Sequence, residues 1–300
     1  MYFGNITSVV SSDPQRAGKI AEKLGKLHEN AKVNIYYRRN GDYIRSILVA
    51  TQYPEKLLCL AEAVSLSSRV ILNVPDSPKW TDGELGLLAD SSGVKVVITS
   101  DLSEDKVRKM FKGIGLEGAE ITQDVNDVPE GEEKDNGFIY VDKAFNVKGV
   151  GTVVTGFSFT PVELHEKLNA VPVNKDVEVK TIQVLDEDQK GVKPGVRIGF
   201  SLRNAKEEEM RDTYILVKPS VPLIKEFEAE LVSYPWSKPA DGNYHVVGGG
   251  VAVTAMLKVN EGNAQVSLTS PLPKLERYIL LNVNVKQGKP RVIGYLKPSK

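Results

Sequence analysis

One cysteine, Cys59, stands in 300 residues. A single thiol cannot close an internal disulfide or build a cysteine-rich metal site, and such sparing use fits a reducing compartment. The three histidines, His28, His165 and His245, lie far apart in the chain and no pair has metal-ligand spacing, so no metal centre is expected. No apolar run approaches the roughly 20 residues that a membrane-spanning helix needs. The opening MYFGNITSVV lacks the basic flank of a secretory leader. Together these absences point to a cytoplasmic protein with no membrane partner. Net charge is missing too: 39 Lys and Arg balance 39 Asp and Glu, so any polyanion site must come from local clustering.

What the chain does have is order that changes along its length. In the first third, short runs rich in Val and Ile (6–10, 45–50, 69–74 and 94–99) alternate with segments apolar at i, i+3 and i+4 (15–27, 54–66, 82–91 and 103–112). That β-α alternation predicts a parallel sheet with helices on both faces, and Ser103 is the expected cap of the last helix. At QDVNDVPEGEEKDNG (123–137) apolar content collapses into acidic, Gly and Pro residues, the composition of a linker. Strand-like segments follow at 138–141, 152–158, 177–185, 196–202 and 214–217, separated by Gly-rich or charged stretches, which predicts a small β-barrel. KPSVP (218–222) marks a second junction, and segments at 227–234, 244–259, 265–268, 278–285 and 290–296 predict another all-β unit. The expected layout is an α/β domain at 1–123, a linker at 124–137, and β-barrels at 138–218 and 219–300.

Strand, polar turn and helix, as in Ile6–Val10 followed by SSDPQRAGKIAEKLGK (11–26), is the outline of a phosphate loop. A true one needs G-x-x-x-x-G-K-[ST], whose backbone amides wrap phosphate, whose Lys reaches the outer groups and whose hydroxyl holds Mg²⁺. Here Gly18 and Lys19 stand alone: the first Gly is absent, Pro14 removes a donor, Asp13 adds negative charge and Ile20 replaces the hydroxyl. Lys19 reads as a solvated helix residue.

FIYVDKAFNVKGVGTVVTGF (138–157) resembles the start of the second domain of translational GTPases. VEVKTIQVLDEDQKGVKPGVRIGFSLRN (177–204) resembles that barrel's central strands, and RDTYILVKP (211–219) its closing strand. EFEAEL (226–231) and RYILLNVNVKQGKPRVIGYL (277–296) resemble the first and last strands of the third domain. The whole chain is similar to the archaeal SelB-like branch of the elongation factor Tu family, including that family's degenerate paralogues. The resemblance implies a P-loop GTPase-like α/β domain followed by two barrels.

It also locates what is missing. The family's Asp-x-x-Gly-His segment maps onto VATQYPEKLL (49–58), where the metal, switch and water-activating positions become Ala50, Tyr53 and Pro54. The family's base-reading Asn/Thr-Lys-x-Asp becomes Thr99-Ser100-Asp101, without the Lys. The expectation is a pseudo-GTPase with no catalytic residue and no cofactor; GTP and Mg²⁺ enter only if that reading fails. What the resemblance leaves is tRNA binding. It implies Asp142, Phe145, Val150 and Gln183 for the aminoacyl end, Arg197 or Arg203 for phosphate, and His245, Lys258 and Lys274 for the stem. Val150 stands where the family places an Arg in its G-R-G turn. Arg38-Arg39 beside Tyr36-Tyr37 adds a basic, aromatic pair of the kind that contacts nucleic acid.

Three function classes stay open: a non-enzymatic translation factor acting on tRNA or ribosomal components, a GTPase with a divergent pocket, and a protein-binding scaffold. A monomer is expected. AKEEEMRD (205–212) reads as a solvated turn, and VVGGGVAV (246–253) as a bulge or close backbone approach within a strand.

Overall fold

A computed structural model of the chain describes residues 1–127, 135–285 and 289–299. The α/β part contains β1 (Phe3–Val10), α1 (Pro14–Leu24), β2 (Lys26–Glu29), β3 (Val33–Asn40), β4 (Tyr43–Ala50), α2 (Leu57–Leu66), β5 (Arg69–Val74), α3 (Trp80–Ser92), β6 (Lys95–Ser100), α4 (Glu104–Met110) and β7 (Glu120–Thr122). Its seven-stranded sheet has the order β2-β3-β4-β1-β5-β6-β7. From β4 to β7 all neighbours run parallel, and β3 and β2 fold back antiparallel at one edge.

Near-continuous Val/Ile/Leu runs are what a sheet covered on both faces demands. Val9, Ile71 and Val97 point towards α1, packing with Ala17, Ile20, Ala21 and Leu24. Their neighbours Val10, Val70, Leu72, Val96 and Ile98 point the other way, into a core with α2, α3 and α4. The predicted helix 15–27 ends early, at Leu24. A Cβ on Gly25 would lie 2.8 Å from the Tyr37 backbone, so the chain crosses there in extended form and enters β2. The β2–β3 hairpin was absent from the sequence reading; β2 is a polar, mostly exposed edge strand with little apolar pattern to betray it. Ser103 precedes α4, but its side chain makes no capping hydrogen bond.

The second part contains β8 (Phe138–Val147), β9 (Gly151–Ser158), β10 (Val162–Glu163), β11 (Lys167–Val171), β12 (Lys175–Val184), β13 (Glu187–Gln189), β14 (Gly191–Val192), β15 (Arg197–Arg203), α5 (Glu207–Arg211) and β16 (Ile215–Val217). Six of these strands close in the order β11-β16-β8-β9-β15-β12, with β12 returning to β11 and β13 appended to it. Phe138, Phe157 and Phe200 fill the interior. AKEEEMRD is not a loose turn: 207–211 form α5, because Met210 is fully buried against the barrel.

The third part, β17 (Leu223–Ser233), β18 (Gly242–Gly248), β19 (Val251–Asn260), β20 (Asn263–Pro273), β21 (Tyr278–Leu281) and β22 (Val292–Pro298), is a closed barrel ordered β17-β20-β19-β18-β21-β22. The predicted single strand over 244–259 is two strands joined by a turn at Gly248-Gly249-Gly250. Gly249 and Gly250 have φ of +60° and +86°, which a side chain rarely tolerates. A Cβ on Gly249 would sit 2.8 Å from Phe138 of the first barrel, and one on Gly250 2.5 Å from Leu66 of α2. The expected close backbone approach is the point where all three parts meet. Residues 128–134 of the expected linker lie outside the described residues.

Candidate functional site

The turn after β1 accounts for its own donors. Asp13 caps α1, its Oδ1 accepting from the Gln15 and Arg16 amides at 2.9 and 3.2 Å. The Asp13 amide donates to Ser11 Oγ, the Ala17 amide to the Asp13 carbonyl, and Pro14 has no N–H. Every amide from 13 to 17 is therefore spent or missing. A helix N-terminus is where a phosphate would bind, but here the chain supplies its own carboxylate. Asp101 is ion-paired with Arg16 of α1. Lys19 is exposed, and Gly18 lies on the helix beside Tyr36. These residues do not fit a Mg²⁺-nucleotide: the amides are committed, Ile20 lacks a hydroxyl, and Ala50 at the end of β4 lacks a carboxylate.

Tyr53 and Pro54 tie the α/β domain to the third barrel. Tyr53 is buried, and its hydroxyl donates to the Thr81 carbonyl or Glu84 Oε2, each at 3.0 Å. Glu84 on α3, 2% exposed, receives Arg291 from the third barrel: Nη2 to Oε2 at 2.6 Å, and Nε and the backbone amide to Oε1 at 3.0 Å. Arg291 Nη1 donates to the Pro54 carbonyl at 2.8 Å. Burial, and then the Glu84 charge, push the Tyr53 phenol far above its ordinary pKa, so it stays a donor. Its hydrogen bonds to Glu84, outweighing burial, hold Arg291 cationic. Nearby, the Tyr234 hydroxyl reaches back to the Leu87 carbonyl, Asp90 and Ser91 of α3. On α2, Glu62 accepts from the Ala252 amide at 3.3 Å; burial pushes its carboxyl up to about 7.

The opposite junction, between the β2–β3 hairpin and the first barrel, is open. A cavity of about 370 Å³ is lined by Phe145, Val150, Gln183 and Arg197 together with His28 and Tyr37 from the hairpin. Phe145 and Val150 are 39% and 40% exposed. Gln183 Nε2 donates to Asp188 at 2.9 Å. Arg197 is clasped by two carboxylates, Asp142 at 2.5 Å and Glu29 of β2 at 2.9 Å, and Lys143 pairs with the same Glu29. Burial acts to lower the Arg197 pKa, but Asp142, Tyr37 and Glu29 outweigh it and hold the guanidinium charged. Asp142 also accepts from Thr155 Oγ1 at 2.6 Å. Beside the cavity, and sharing His28, Tyr37 and Leu185 with it, runs a groove lined by Lys23, Lys26, Arg38 and Arg39. Arg39 is paired with Glu187.

Of the residues singled out from sequence, then, the fold gathers Asp142, Phe145, Val150, Gln183 and Arg197 at one place. Arg203 sits at the other end of β15, roughly 20 Å along the strand, paired with Glu178 at 2.8 Å. His245, Lys258 and Lys274 are spread over the third barrel: His245 half-buried on β18, Lys258 exposed on β19, Lys274 exposed just after β20. Partial burial lowers the His245 pKa, leaving it neutral at physiological pH. His28 and Tyr37 were not among the expected site residues. Their one signal was the basic, aromatic run Tyr36-Tyr37-Arg38-Arg39; strand alternation turns Tyr36 into the α1 core and Tyr37 towards the barrel.

No protein-family model matches the chain. An uncharacterized protein of Methanocaldococcus jannaschii is 25% identical over 269 residues, covering 83% of this chain and 86% of that one. The selenocysteine-specific elongation factor of the same organism is 29% identical over 137 residues, 45% of this chain and 27% of its own. Among solved structures, the elongation factor SelB of Methanococcus maripaludis in complex with the GTP analogue GppNHp superposes with a TM-score of 0.79 over the whole of this chain and 80% of that one, at 15% identity. A bacterial selenocysteine-specific elongation factor gives 0.77 over 99% of this chain and 58% of its own, at 16% identity. The chain has the SelB fold: an α/β domain followed by two six-stranded barrels.

Proposed function

We propose that this chain, built on the frame of SelB elongation factors, is a translation-factor-like protein that binds the 3′ end of an aminoacylated tRNA without a nucleotide switch. The observation that carries the reading is the contrast between two places where the frame would act. At the phosphate turn every amide from 13 to 17 is committed to the chain itself or absent. At the cleft between hairpin and barrel a cavity is kept, with exposed Phe145 and His28 at its wall and Lys23, Lys26 and Arg38 on the approach. Exposed rings give a base a stacking face and the cations follow its phosphates, the pattern of single-stranded nucleic-acid sites. Arg197, held by Asp142 and Glu29, organises the wall, so phosphate contacts fall to the lysines and Arg38.

With Tyr53 and Pro54 bound to Arg291, the α/β domain and third barrel keep one arrangement. Cytoplasmic location and action as a monomer belong to the same proposal; among the described residues no helix is long and apolar enough to cross a membrane. The test is filter binding of aminoacylated and deacylated tRNA to the full chain at low salt. Saturable binding is expected, falling steeply with salt and weakened about tenfold or more in Phe145→Ala, in line with the value of one base–aromatic stack. No binding at low salt, or equal binding by the variant, overturns the proposal.

A further inference from the structure

The cleft between the β2–β3 hairpin and the first barrel has two electrostatic halves. On the approach, Lys23, Lys26, Arg38 and Arg39 line the groove against one acid, Glu22. Inside the cavity the sign reverses: Asp186 and Asp188 are in its lining, and Arg197 is the one Lys or Arg there. Arg197 is already answered twice, by Asp142 and by Glu29 of β2, and Glu29 holds Lys143 as well. These groups are well shielded from water, the Arg197 side chain being 11% and the Glu29 side chain 21% exposed. Lys180, the next cation along β12, is outside the lining; its Nζ donates to the Val150 carbonyl at 3.1 Å.

Tying the hairpin to the barrel accounts for Glu29, Asp142, Lys143 and Arg197. It does not account for Asp186 and Asp188, which join no ion pair among the described residues. Both are held in place by the tight turn between β12 and β13. Val184 pairs with Glu187 across it, and Leu185 and Asp186 take left-handed backbone with φ of +49° and +62°. Such turns favour Asn, Asp and Gly. A leucine at positive φ is an unfavourable placement, and placements of that kind gather at ligand sites. Leu185 lines both the cavity and the groove. Asp188 is steadied by Gln183, whose Nε2 donates to it at 2.9 Å.

Building on the cleft as a site for an aminoacylated tRNA end, we infer that it selects its ligand by charge. It takes an aminoacyl group with a cationic side chain and rejects an acidic one, and Glu29 sets that preference by cancelling Arg197. Such a ligand has the same two halves as the cleft, phosphates outside and ammonium within. Glu29 is not in the cavity lining, so it is a positioning residue that acts through the guanidinium. With Glu29 neutral, Arg197 keeps a single counter-charge and attracts a carboxylate. Charges shielded from water and salt feel one another more strongly than exposed ones, which gives this small cluster its reach.

The test is filter binding of the full chain at low salt to acceptor-stem minihelices that end in an amide-linked lysyl, norleucyl or glutamyl residue. Norleucine has the aliphatic chain of lysine without its ammonium. Expected is the order lysyl, norleucyl, glutamyl, with about tenfold or more between the first and last, narrowing as salt rises. Asp186→Asn should cut that ratio about threefold without touching the hairpin contact. Glu29→Gln keeps the size of the side chain; it should abolish the ratio while moving norleucyl affinity by less than about twofold, and Glu29→Asp should restore it. A purely structural role for Glu29 would weaken all three ligands alike. Equal affinities for the three, or a ratio unchanged in Glu29→Gln, overturns the inference and leaves the tRNA reading standing. Absence of binding by any minihelix overturns both.

Discussion

Against the third barrel, α2 and α3 bury a Glu84–Arg291 pair, a phenol and a tyrosine hydroxyl that spans to three groups on α3. Against the first barrel, the β2–β3 hairpin leaves a cavity of about 370 Å³, with exposed Phe145 and Val150 and a half-open cluster of Glu29, Lys143, Asp142 and Arg197. One domain thus has a junction pinned by buried polar bonds and one held by a half-exposed charge cluster. The pinned junction runs through Tyr53 and Pro54, the positions that the resemblance assigns to the nucleotide switch. Tyr53 and Pro54 hold a neighbouring barrel through Arg291, while the cavity beside the first barrel keeps exposed side chains in its wall. Breaking a buried ion pair from one side strands the other charge, whereas exposed pairs are worth little. The two junctions should respond to mutation very differently.

The largest effect is expected from Arg291→Ala, which leaves Glu84 buried and unpaired; the cost is about 3 kcal/mol or more in chemical unfolding. Adding Glu84→Leu should recover most of it, since an apolar replacement of a buried pair is often neutral. Equal losses in the single and double variants would show that the pair is not what seals the junction.

Next comes Glu62, at the same junction. Its folded-state pKa of about 7 lies above the ordinary carboxyl value of 4.5, because burial penalises the charged form. The folded state therefore holds the proton more tightly than the unfolded one. A penalty sets in as pH rises past the unfolded value and is complete above about 7. Glu62→Gln should stabilise the protein by about 3 kcal/mol at pH 8 and by nothing below pH 4.5, as read from unfolding midpoints across that range. A pH-independent effect would place Glu62 in water rather than against the third barrel.

The smallest is Asp13→Ala. Losing the cap of α1 should cost about 1 kcal/mol in the same unfolding measurement. A gain in stability would mean that the Asp13 carboxylate is not the partner of the Gln15 and Arg16 amides.

Much of this was legible in the sequence. The Val/Ile runs and helical periods of 1–123 gave the parallel strands and four helices, and the Gly-rich β segments gave two barrels. The absence of Gly, Asp and His from the positions that the resemblance assigns to nucleotide motifs was readable by type. What replaced them was not. That Asp13 turns onto its own helix is local and within reach of capping rules. That Tyr53 meets Arg291, 238 positions later, depends on how barrel and helix dock, which no local pattern encodes. The β2–β3 hairpin escaped because a polar edge strand has no alternation to show, and with it the placing of His28 and Tyr37 at the cavity. Phe145, Val150 and Gln183 were named by resemblance, not by periodicity, and the fold brings them to one cavity. The paired state of Arg197 came only with the hairpin that carries Glu29.

The central claim is that the α/β domain keeps the frame of a nucleotide switch and has lost its chemistry. Isothermal titration of the full chain with GTP and Mg²⁺ tests it most directly. The account predicts no saturable heat up to high micromolar nucleotide, with or without the metal. Saturable, Mg²⁺-dependent binding would contradict it, because no amide of the 13–17 turn is free to hold the phosphates.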